Sequence, residues 1–559
     1  MTEQVDVCVI GSGFGGSIAA YYLAHAGQRV VVLERGPLRP TESLQLDIKT
    51  RDLLEITHTF NGDGISILVG SAVGGGSLVY SGVSLRAPSF VFDRTQGGQR
   101  IWPAALTRSS LDPHYRRAEY GLGVHQLGFD EVAKRGGIWG LQMNRLGYRV
   151  DPIRQATTAC IHCGFCNTGC KFFRKNHLPF NYLRGAELAG ADVRPDSEAI
   201  QVMPSNGGYT VVYGPRDRSS AASPKAPNAA SSSQIQATRV VVAGGTVGSA
   251  GLLLRSKQNL PNLSSQLGQN LSGNGDFALM ALLPRSATLP GQGLVTQYQG
   301  VAMDTVCYEF LRSHGFIIIT QHELSPATLI NGDPVAKWWG LDKKHLMRHY
   351  GDQLVGIAVI GVDGSPGQIV ASSTSNDENA LIPAFGVSDM NFPIDGETAA
   401  LFANARRIIG DLVKRMGGTL IDISLNYSPH YAQSAFSAHP IGTARMSDTP
   451  ALGVVDAFGE VHGHPGLYVI DGAAVPTALG VNPSLTVAAV AEHAATALVR
   501  KLGHVPVDPP PGNPYVSPRP GERTPAPPRA SRHRRRHRRR HHRHHRRRHH
   551  HRSRGQRTG

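Results

Sequence analysis

The stretch VDVCVIGSGFGGSIAAYYLAHAGQRVVVLERG, residues 5–36, decides the fold of this 559-residue chain. The apolar run at its start predicts a strand that is buried on both faces. Gly11, Gly13 and Gly16 follow with the spacing G-x-G-x-x-G, which is typical of a dinucleotide-binding turn between a strand and a helix. Strand, glycine turn, helix and second strand in this order predict an α/β nucleotide-binding domain.

The residues of this unit indicate which cofactor it binds. Gly11 allows the tight turn, Gly13 lets the backbone approach a pyrophosphate, and Gly16 lets the helix pack on the strand. The helix N-terminus adds free N–H groups and a positive partial charge. The second strand ends in Glu34, whose carboxylate can accept hydrogen bonds from a ribose and would repel a 2′-phosphate. FAD or NAD is therefore expected, and NADP is not.

Two further glycine stretches favour FAD. GSAVGGGSLVYSG, residues 70–82, can bring the backbone close to a large planar ligand, although a flexible loop would have the same composition. TRVVVAGGTVGSAGLLLRS, residues 238–256, is another apolar strand that enters a glycine turn and a helix. Repeated close approach of the backbone is better suited to a permanently held cofactor than to an exchanging one.

The C-terminal half supplies the candidate catalytic residues. His439 lies in SAHPIGTARM, residues 437–446, directly before a second cofactor-like strand and helix. A histidine whose pKa is near neutral can take or hold the proton of an alcohol. The helix is predicted over Pro483–Leu498, and Asn482 before it is either a helix N-cap or a ligand contact.

These stretches together resemble the glucose–methanol–choline (GMC) oxidoreductases, and within them the cholesterol oxidase-like subgroup. GSGFGGS, GSAVGGGSLVY, VVVAGGTVGSAGLLL, HPIGTARM and YVIDGAAVPTALGVNPSLT occur in the family's order. The resemblance implies an α/β fold, in which a Rossmann-like FAD-binding domain is interleaved with an α+β substrate domain built on an antiparallel sheet. The implied FAD domain covers 1–90, 186–275 and 435–505, and the substrate domain covers 91–185 and 276–434.

The resemblance also implies a reaction and a set of site residues. GMC flavoenzymes oxidise an alcohol by passing hydride to flavin N5, and the implied catalytic residues are His439 and Asn482. The implied FAD contacts are Gly11, Gly13, Phe14, Gly15, Gly16, Glu34, Gly75, Ser77, Asp471, Gly472, Asn482 and Pro483. Tyr80 departs from the pattern, because classical sterol oxidases have a flavin-facing asparagine there.

A 3β-hydroxysteroid is the expected substrate, and the electrons are expected to pass to oxygen or to another acceptor. Sterol oxidases also use a glutamate to isomerise the Δ5 double bond of their product to Δ4. The resemblance assigns this role best to Glu309, on the first strand of the region 304–323, and Glu323 is its rival. The alternative is a GMC dehydrogenase for another alcohol with a quinone or protein acceptor.

Four of the six cysteines lie in CIHCGFCNTGC, residues 160–170. Cys160, Cys163, Cys166 and Cys170 have the spacing C-x2-C-x2-C-x3-C, which matches a ferredoxin run for an iron–sulfur cluster. Lys171 stands where the ferredoxin pattern has proline. The four thiols are therefore predicted to hold an iron–sulfur cluster or zinc, or to stay free or paired. A cluster would offer electrons a route out of the flavin and favour a dehydrogenase.

The positive charge of the chain is concentrated in its tail. Residues 531–559 contain 14 arginines, nine histidines and no acid, which leaves 43 basic and 41 acidic residues elsewhere. Residues 506–559 are predicted to be a disordered proline-rich linker and basic tail, able to bind an anionic partner such as nucleic acid or a membrane surface. No apolar run is long enough to span a membrane, and a cytoplasmic location is expected, either with or without association with a membrane surface.

Overall fold

The computed structural model describes residues 2–44, 56–215, 232–287, 300–322, 353–371, 387–422 and 435–516. The strands are β1 Glu3–Ile10, β2 Val30–Leu33, β3 Thr57–Asn61, β4 Ile65–Gly70, β5 Thr95–Gln96, β6 Gln99–Arg100, β7 His125–Gln126, β8 Asp151–Pro152, β9 Arg154–Gln155, β10 Asp192–Arg194, β11 Ser197–Ser205, β12 Gly208–Pro215, β13 Ser233–Val242, β14 Gln269–Leu271, β15 Phe277–Leu282, β16 Met303–Cys307, β17 Phe316–Gln321, β18 Leu354–Gly361, β19 Gly367–Ala371, β20 Val387–Asn391, β21 Thr419–Ile421, β22 Ala435–Ser437 and β23 Leu467–Val469.

The helices in this part of the chain are of two kinds. The α-helices are α1 Phe14–His25, α2 Arg108–Leu122, α3 Lys134–Arg145, α4 Tyr182–Leu188, α5 Gly245–Ser256, α6 Leu311–His314, α7 Gly396–Arg415 and α8 Ser484–Lys501. Short 3-10 helices occupy Thr41–Ser43, Gly75–Leu78, Ser89–Asp93, Cys166–Thr168, Leu178–Phe180, Arg285–Ala287 and Gly472–Ala474.

The first sheet is parallel at its centre and contains the predicted nucleotide-binding strands. Its order is β10–β2–β1–β13–β12–β11, and β23 pairs with the C-terminal part of β13. Strands β10, β2, β1, β13 and β23 run parallel, whereas β11 and β12 form an antiparallel extension. All four residues of β2 are buried, as expected for a strand covered on both faces. Helices α1 and α8 pack against each other.

The second sheet is antiparallel and has the order β21–β15–β18–β17–β16–β8. Alternate residues of β18 enter different cores, because side chains of a strand point to opposite faces. Ala358 and Ile360 belong to the core that includes the first sheet, whereas Ile357 and Val359 pack in a second core with α7. Helix α7 is capped by Asp395, whose side chain accepts a hydrogen bond from the backbone N–H of Thr398.

The two sheets alternate along the chain. Every strand of the first sheet lies within the ranges predicted for the FAD domain, and every strand of the second lies within those predicted for the substrate domain. All the described residues fall in one compact unit, Met1–Pro525. The predicted fold class, a Rossmann-like domain interleaved with an antiparallel substrate sheet, is confirmed, while the domain boundaries stay a prediction.

The ordered chain continues past the predicted end near residue 505. The Tyr21 hydroxyl donates to the carbonyl of Asp508, and the Asn513 amide donates to the carbonyl of Phe173. The ring of Tyr515 packs 5.0 Å from that of Phe180. Residues 506–516 therefore pack on the enzyme and are not the disordered linker that their proline content predicted. The basic tail lies outside the described residues.

Helix α8 begins one residue later than predicted, at Ser484, and ends at Lys501. Pro483 is its N-cap residue and makes no side-chain capping bond, so Asn482 is not the cap. Within the part of the chain that the structure describes, no helix has both the length and the apolar character needed to cross a bilayer.

Candidate active site

A cavity of about 630 Å³ lies between the first sheet and the second. Ile10 and Leu33, at the carboxyl ends of β1 and β2, form part of its wall, and Ala358 and Ile360 of β18 form another part. In open α/β sheets, ligands bind outside the carboxyl ends of the parallel strands. The volume is also in the range of small-molecule and cofactor sites.

The glycine turn presents bare backbone to this cavity. Gly11 has a φ of +99°, and a Cβ added to it would lie 2.2 Å from the carbonyl oxygen of Ala243. A Cβ on Gly16 would lie 1.9 Å from the carbonyl oxygen of Gly11, so only glycine lets α1 pack this closely. Gly13 lines the cavity, and a Cβ there would meet no described atom within 4 Å. The N-terminus of α1 has no side-chain cap, which leaves its N–H groups available for phosphate oxygens.

Glu34 lies on the cavity wall and is tied to the glycine turn. Its Oε2 atom accepts hydrogen bonds from the backbone N–H of Ser12 at 3.0 Å and from the Ser12 hydroxyl at 2.7 Å. Its Oε1 atom accepts from the N–H of Gly36 at 2.8 Å. A carboxylate has about four acceptor positions, so Glu34 retains acceptor capacity for a ribose hydroxyl.

Most of the predicted cofactor residues reach the cavity. Those that line it are Gly11, Gly13, Phe14, Gly15, Glu34, Gly75, Asp471, Gly472, Asn482 and Pro483. Gly16 and Ser77 lie behind the wall: the Ser77 hydroxyl donates to the carbonyl of Gly74 and shapes the glycine loop. Asp471 accepts from the N–H of Gly245 and the hydroxyl of Ser249, and burial raises the pKa of its carboxyl. Asp471 therefore connects the turn after β23 to the glycine turn at the start of α5.

His439 and Asn482 meet in the cavity, together with a residue that the sequence did not indicate. The Nδ1 atom of His439 lies 2.7 Å from Oδ2 and 2.9 Å from Oδ1 of Asp276. Nε2 on the other side of the ring lies 3.1 Å from Nδ2 of Asn482. All three residues line the cavity.

The hydrogen bonds define the tautomer of His439. Nδ1–H donates to the Asp276 carboxylate, which accepts only, and Nε2 accepts from the amide N–H of Asn482. Nε2 is therefore the unprotonated nitrogen of the ring. A carboxylate behind an imidazole stabilises the positive charge that forms when the imidazole takes a proton.

The backbone around His439 also engages Asp276. Strand β22 ends at Ser437, whose hydroxyl donates to the carbonyl of Gly273 and accepts from the N–H of His439. The N–H of Ala438 donates to Oδ2 of Asp276 at 3.2 Å. Asp276 precedes strand β15 in the run GNGDF, residues 273–277, and its place before an apolar strand in a glycine turn was the only sequence signal for it.

The side chain of Asn482 has one unsatisfied atom. Its Oδ1 is buried and has no hydrogen-bond partner in the described structure. A buried unpaired carbonyl costs about 1–3 kcal/mol, so a bound group that donates a hydrogen bond here would be stabilised. The glycine turn, Glu34 and this orphan acceptor fit a large dinucleotide with a substrate beside it, as FAD and an alcohol would require.

Glu309 is not where the sequence predicted it. Strand β16 ends at Cys307, and Glu309 lies in the exposed turn that follows. It is not among the residues that line the cavity. The turn enters the short helix α6, and placing the carboxylate in water avoids the cost of burying an unpaired charge. Its rival Glu323 lies outside the described residues.

Tyr80 lines the cavity, and contacts with neighbouring residues fix its position. Its hydroxyl donates to the carbonyl of Asn176 at 3.1 Å, and Phe14 contacts its ring edge-on at 5.5 Å. The buried ammonium of Lys175 lies 5.1 Å from the ring centroid and donates to the carbonyls of Tyr80 and Leu78. The aromatic residue that replaces the expected asparagine is thus part of a fixed wall.

None of the four clustered cysteines forms a disulfide in this structure. The described residues contain no group of three or more His, Cys, Asp or Glu side chains arranged to hold a metal ion. The iron–sulfur and zinc predictions therefore have no structural support. The neighbouring Cys163 thiol lowers the pKa of Cys170 to about 6, and Cys170 in turn raises the pKa of Cys163. Burial raises the pKa of Cys160 to about 12.

The fold and the cavity are those of a dinucleotide-binding oxidoreductase, with His439 and the glycine turn on the wall of the same cavity. Models of the GMC oxidoreductase family match residues 7–274 with their N-terminal part and residues 364–491 with their C-terminal part. The chain belongs to this family, whose members are FAD-dependent oxidoreductases.

Relatives of known name are similar over most of their length. A cholesterol oxidase of Mycobacterium tuberculosis is 29% identical, with 92% of this chain and 94% of that protein covered. A cholesterol oxidase of Acinetobacter baumannii is 26% identical over 89% and 94% of the two chains. A long-chain-alcohol oxidase of Arabidopsis thaliana is also 26% identical, over 89% of this chain and 68% of that protein.

Solved structures share the fold at lower identity. A formate oxidase of Aspergillus oryzae superposes with a TM-score of 0.62 at 16% identity, covering 90% of this chain and 99% of the other. Pyridoxine 4-oxidase from Mesorbium loti gives a TM-score of 0.60 at 16% identity, over 88% and 98%. These similarities concern the fold alone.

Proposed function

We propose that the chain oxidises the secondary hydroxyl of a 3β-hydroxysteroid to a ketone, with oxygen as the acceptor. FAD, when bound, supplies the hydride acceptor. The similarity to two cholesterol oxidases over most of the chain supports the sterol, as do the apolar cavity residues Val69 and Phe277. The similarity to a long-chain-alcohol oxidase keeps a straight-chain alcohol as the competing substrate.

The chain's own residues would hold the alcohol and move its proton. Nε2 of His439 accepts the hydroxyl proton, and Asp276 stabilises the imidazolium that results. Asn482 then loses its acceptor at Nε2, and its N–H is free to donate to the oxygen of the substrate. The observation that carries the proposal is this hydrogen-bonded set of three side chains beside the dinucleotide turn.

His439→Asn tests the proposal. We expect FAD to remain bound, because the glycine turn and Glu34 are untouched, and flavin reduction by alcohol to slow by about 10²–10⁴-fold. Anaerobic rapid mixing that follows the flavin absorbance measures this rate. His504→Asn, an exposed histidine, is the matched control. Unchanged reduction in His439→Asn would remove His439 from the mechanism.

A substrate panel separates the alternatives. We expect kcat/KM to be highest for 3β-hydroxysteroids and lower for long-chain primary alcohols, measured with oxygen. The reverse order would contradict the sterol proposal. Faster turnover with a quinone or a dye than with oxygen would favour the dehydrogenase alternative.

Isomerisation of the steroid product requires a further acid–base group. Glu309 lies in an exposed turn outside the cavity wall, so Glu309→Gln is expected to leave the ratio of Δ4 to Δ5 ketone unchanged. Glu323→Gln, at the rival position, is the informative variant. Ultraviolet absorbance of the conjugated enone reports the ratio. Loss of enone in Glu309→Gln would return that residue to the mechanism.

A further inference from the structure

The antiparallel sheet forms one wall of the active-site cavity, and this wall is apolar with one exception. Ala358 and Ile360 of β18, Phe277 of β15 and Met303 of β16 line the cavity. Gln321, the last residue of β17, lines it as well. Among the described residues of this sheet that line the cavity, Gln321 is the only one with a polar side chain. The oxidation of the alcohol, as described above, gives its amide no role.

The alternation of side chains along β17 places the Gln321 amide on the cavity face of the sheet. Ile317 and Ile319 belong to the core that includes the first sheet, whereas Ile318 packs in the second core with α7. Side chains two residues apart on a strand point to the same face, so Gln321 points to the side of Ile317 and Ile319. The amide therefore faces the cavity between the two sheets and not the core behind the antiparallel sheet.

The strand register gives the separation between Gln321 and the reacting end of the cavity. Asp276, the partner of the catalytic histidine, lies one residue before Phe277, which pairs with Val359 of β18. Gln321 pairs with Gly356 of the same strand. Asp276 and Gln321 therefore lie four residues apart along the strands, which is about 13 Å at the rise of a β-strand. This separation is comparable with the length of a steroid nucleus.

The amide of Gln321 is available to a ligand. It makes no hydrogen bond to any residue of the described chain, and the side chain is partly exposed. Gly356, opposite Gln321 on β18, has no side chain that could pair with it. By contrast, Ser81 and Asn167 on the cavity wall hydrogen-bond to each other at 3.0 Å. Gln321 therefore brings one unused donor and acceptor group to an apolar wall.

We propose that Gln321 selects steroids that carry a ketone or a hydroxyl on the D ring, at the end opposite the 3β-hydroxyl. The inference rests on the proposed function, which places the 3β-hydroxyl at His439. A steroid that lies along the strands then brings its D ring to the level of Gln321. The amide N–H donates to a ketone oxygen, and the amide carbonyl accepts from a hydroxyl. A hydrocarbon end would displace water from the amide without replacing its hydrogen bonds, which weakens binding.

A matched pair of steroids tests the inference by binding and not by turnover. Androst-4-ene-3,17-dione and androst-4-en-3-one share the nucleus and the A-ring ketone, and they differ only in the D-ring oxygen. Neither has a 3β-hydroxyl to be oxidised, so equilibrium dialysis with the full-length holoenzyme gives both Kd values. We expect the dione to bind about 5- to 30-fold more tightly, which is the contribution of one hydrogen bond to an otherwise unpaired group. In Gln321→Leu the two Kd values should become equal.

Gln368→Leu is the matched control, because Gln368 is a partly exposed glutamine of β19 that does not line the cavity. It should keep the wild-type ratio of Kd values. Gln321→Met provides the same test if Gln321→Leu does not fold. Equal Kd values in the wild type, or an unchanged ratio in the Gln321 variants, would overturn this inference and leave the proposed function standing. Failure of both steroids to bind would overturn the two together.

Discussion

Nδ1 of His439 lies 2.7 Å from Oδ2 of Asp276, although the two residues are 163 positions apart in the chain. The contact joins residues next to different sheets, because Asp276 directly precedes β15 of the antiparallel sheet and His439 follows β22, which pairs with β4. It fixes both the orientation and the tautomer of the imidazole, so that Nε2 is left as the acceptor.

Asp276→Asn should slow flavin reduction by about a hundredfold or more. An asparagine that rotates to donate its N–H to Nδ1 forces the proton onto Nε2, which can then no longer accept the hydroxyl proton. FAD content should be unchanged. The measurement is anaerobic flavin reduction by alcohol, with Asp411→Asn, at an exposed position of α7, as the matched control. An equal reduction rate in Asp276→Asn would show that the carboxylate does not govern the tautomer.

Asn482→Ala removes both the amide N–H at Nε2 and the orphan Oδ1. We expect kcat to fall by about a hundredfold, since a donor that stabilises developing charge typically contributes this much. Steady-state kinetics with the best alcohol of the panel measures the change. Asn206→Ala, in the exposed hairpin between β11 and β12, is the control. A drop confined to KM would indicate that Asn482 only binds substrate.

Glu34→Gln should weaken FAD binding by about 10- to 100-fold, because Ser12 and Gly36 lose charge-assisted hydrogen bonds and the glycine turn loosens. Reconstitution of the apoprotein with FAD, followed by flavin fluorescence, gives the Kd. Glu42 is an exposed acid a short distance after Glu34 in the sequence, and Glu42→Gln should leave the Kd for FAD unchanged. Equal Kd values for the two variants would contradict the assigned role of Glu34.

Local patterns predicted the residues whose role depends on backbone geometry. The β1–α1–β2 unit, with Gly11, Gly13 and Glu34, has a fixed spacing that follows from packing one helix on one strand pair. Asp276 could not be found in this way, since its partner is distant in sequence and an acid before a strand has no distinctive pattern. Glu309 was predicted on the first strand of its region, but β16 ends at Cys307, and the turn that follows leaves the carboxylate exposed.

Composition alone misplaced the end of the ordered chain. Prolines in residues 506–516 predicted a solvated linker, but that segment finds partners on the enzyme surface. Asn513 donates to Oδ1 of Asn176 at 2.9 Å, and Asn181 donates to the carbonyl of Gly512 at 3.2 Å. Asn176 in turn accepts from Tyr80 through its carbonyl, so the segment supports a residue of the cavity wall.

Two truncations distinguish this segment from the basic tail. A chain ending at residue 516 should keep the Tm and turnover of the full chain, and should lose any binding to nucleic acid or anionic vesicles that the arginines provide. A chain ending at residue 505 loses the contacts of Asn513 and Tyr515, and its Tm should fall by roughly 2–5 °C. Thermal unfolding followed by flavin release measures both. Equal Tm values for the two truncations would mean that residues 506–516 do not stabilise the enzyme, whereas lost turnover in the longer one would assign the tail a role in the reaction.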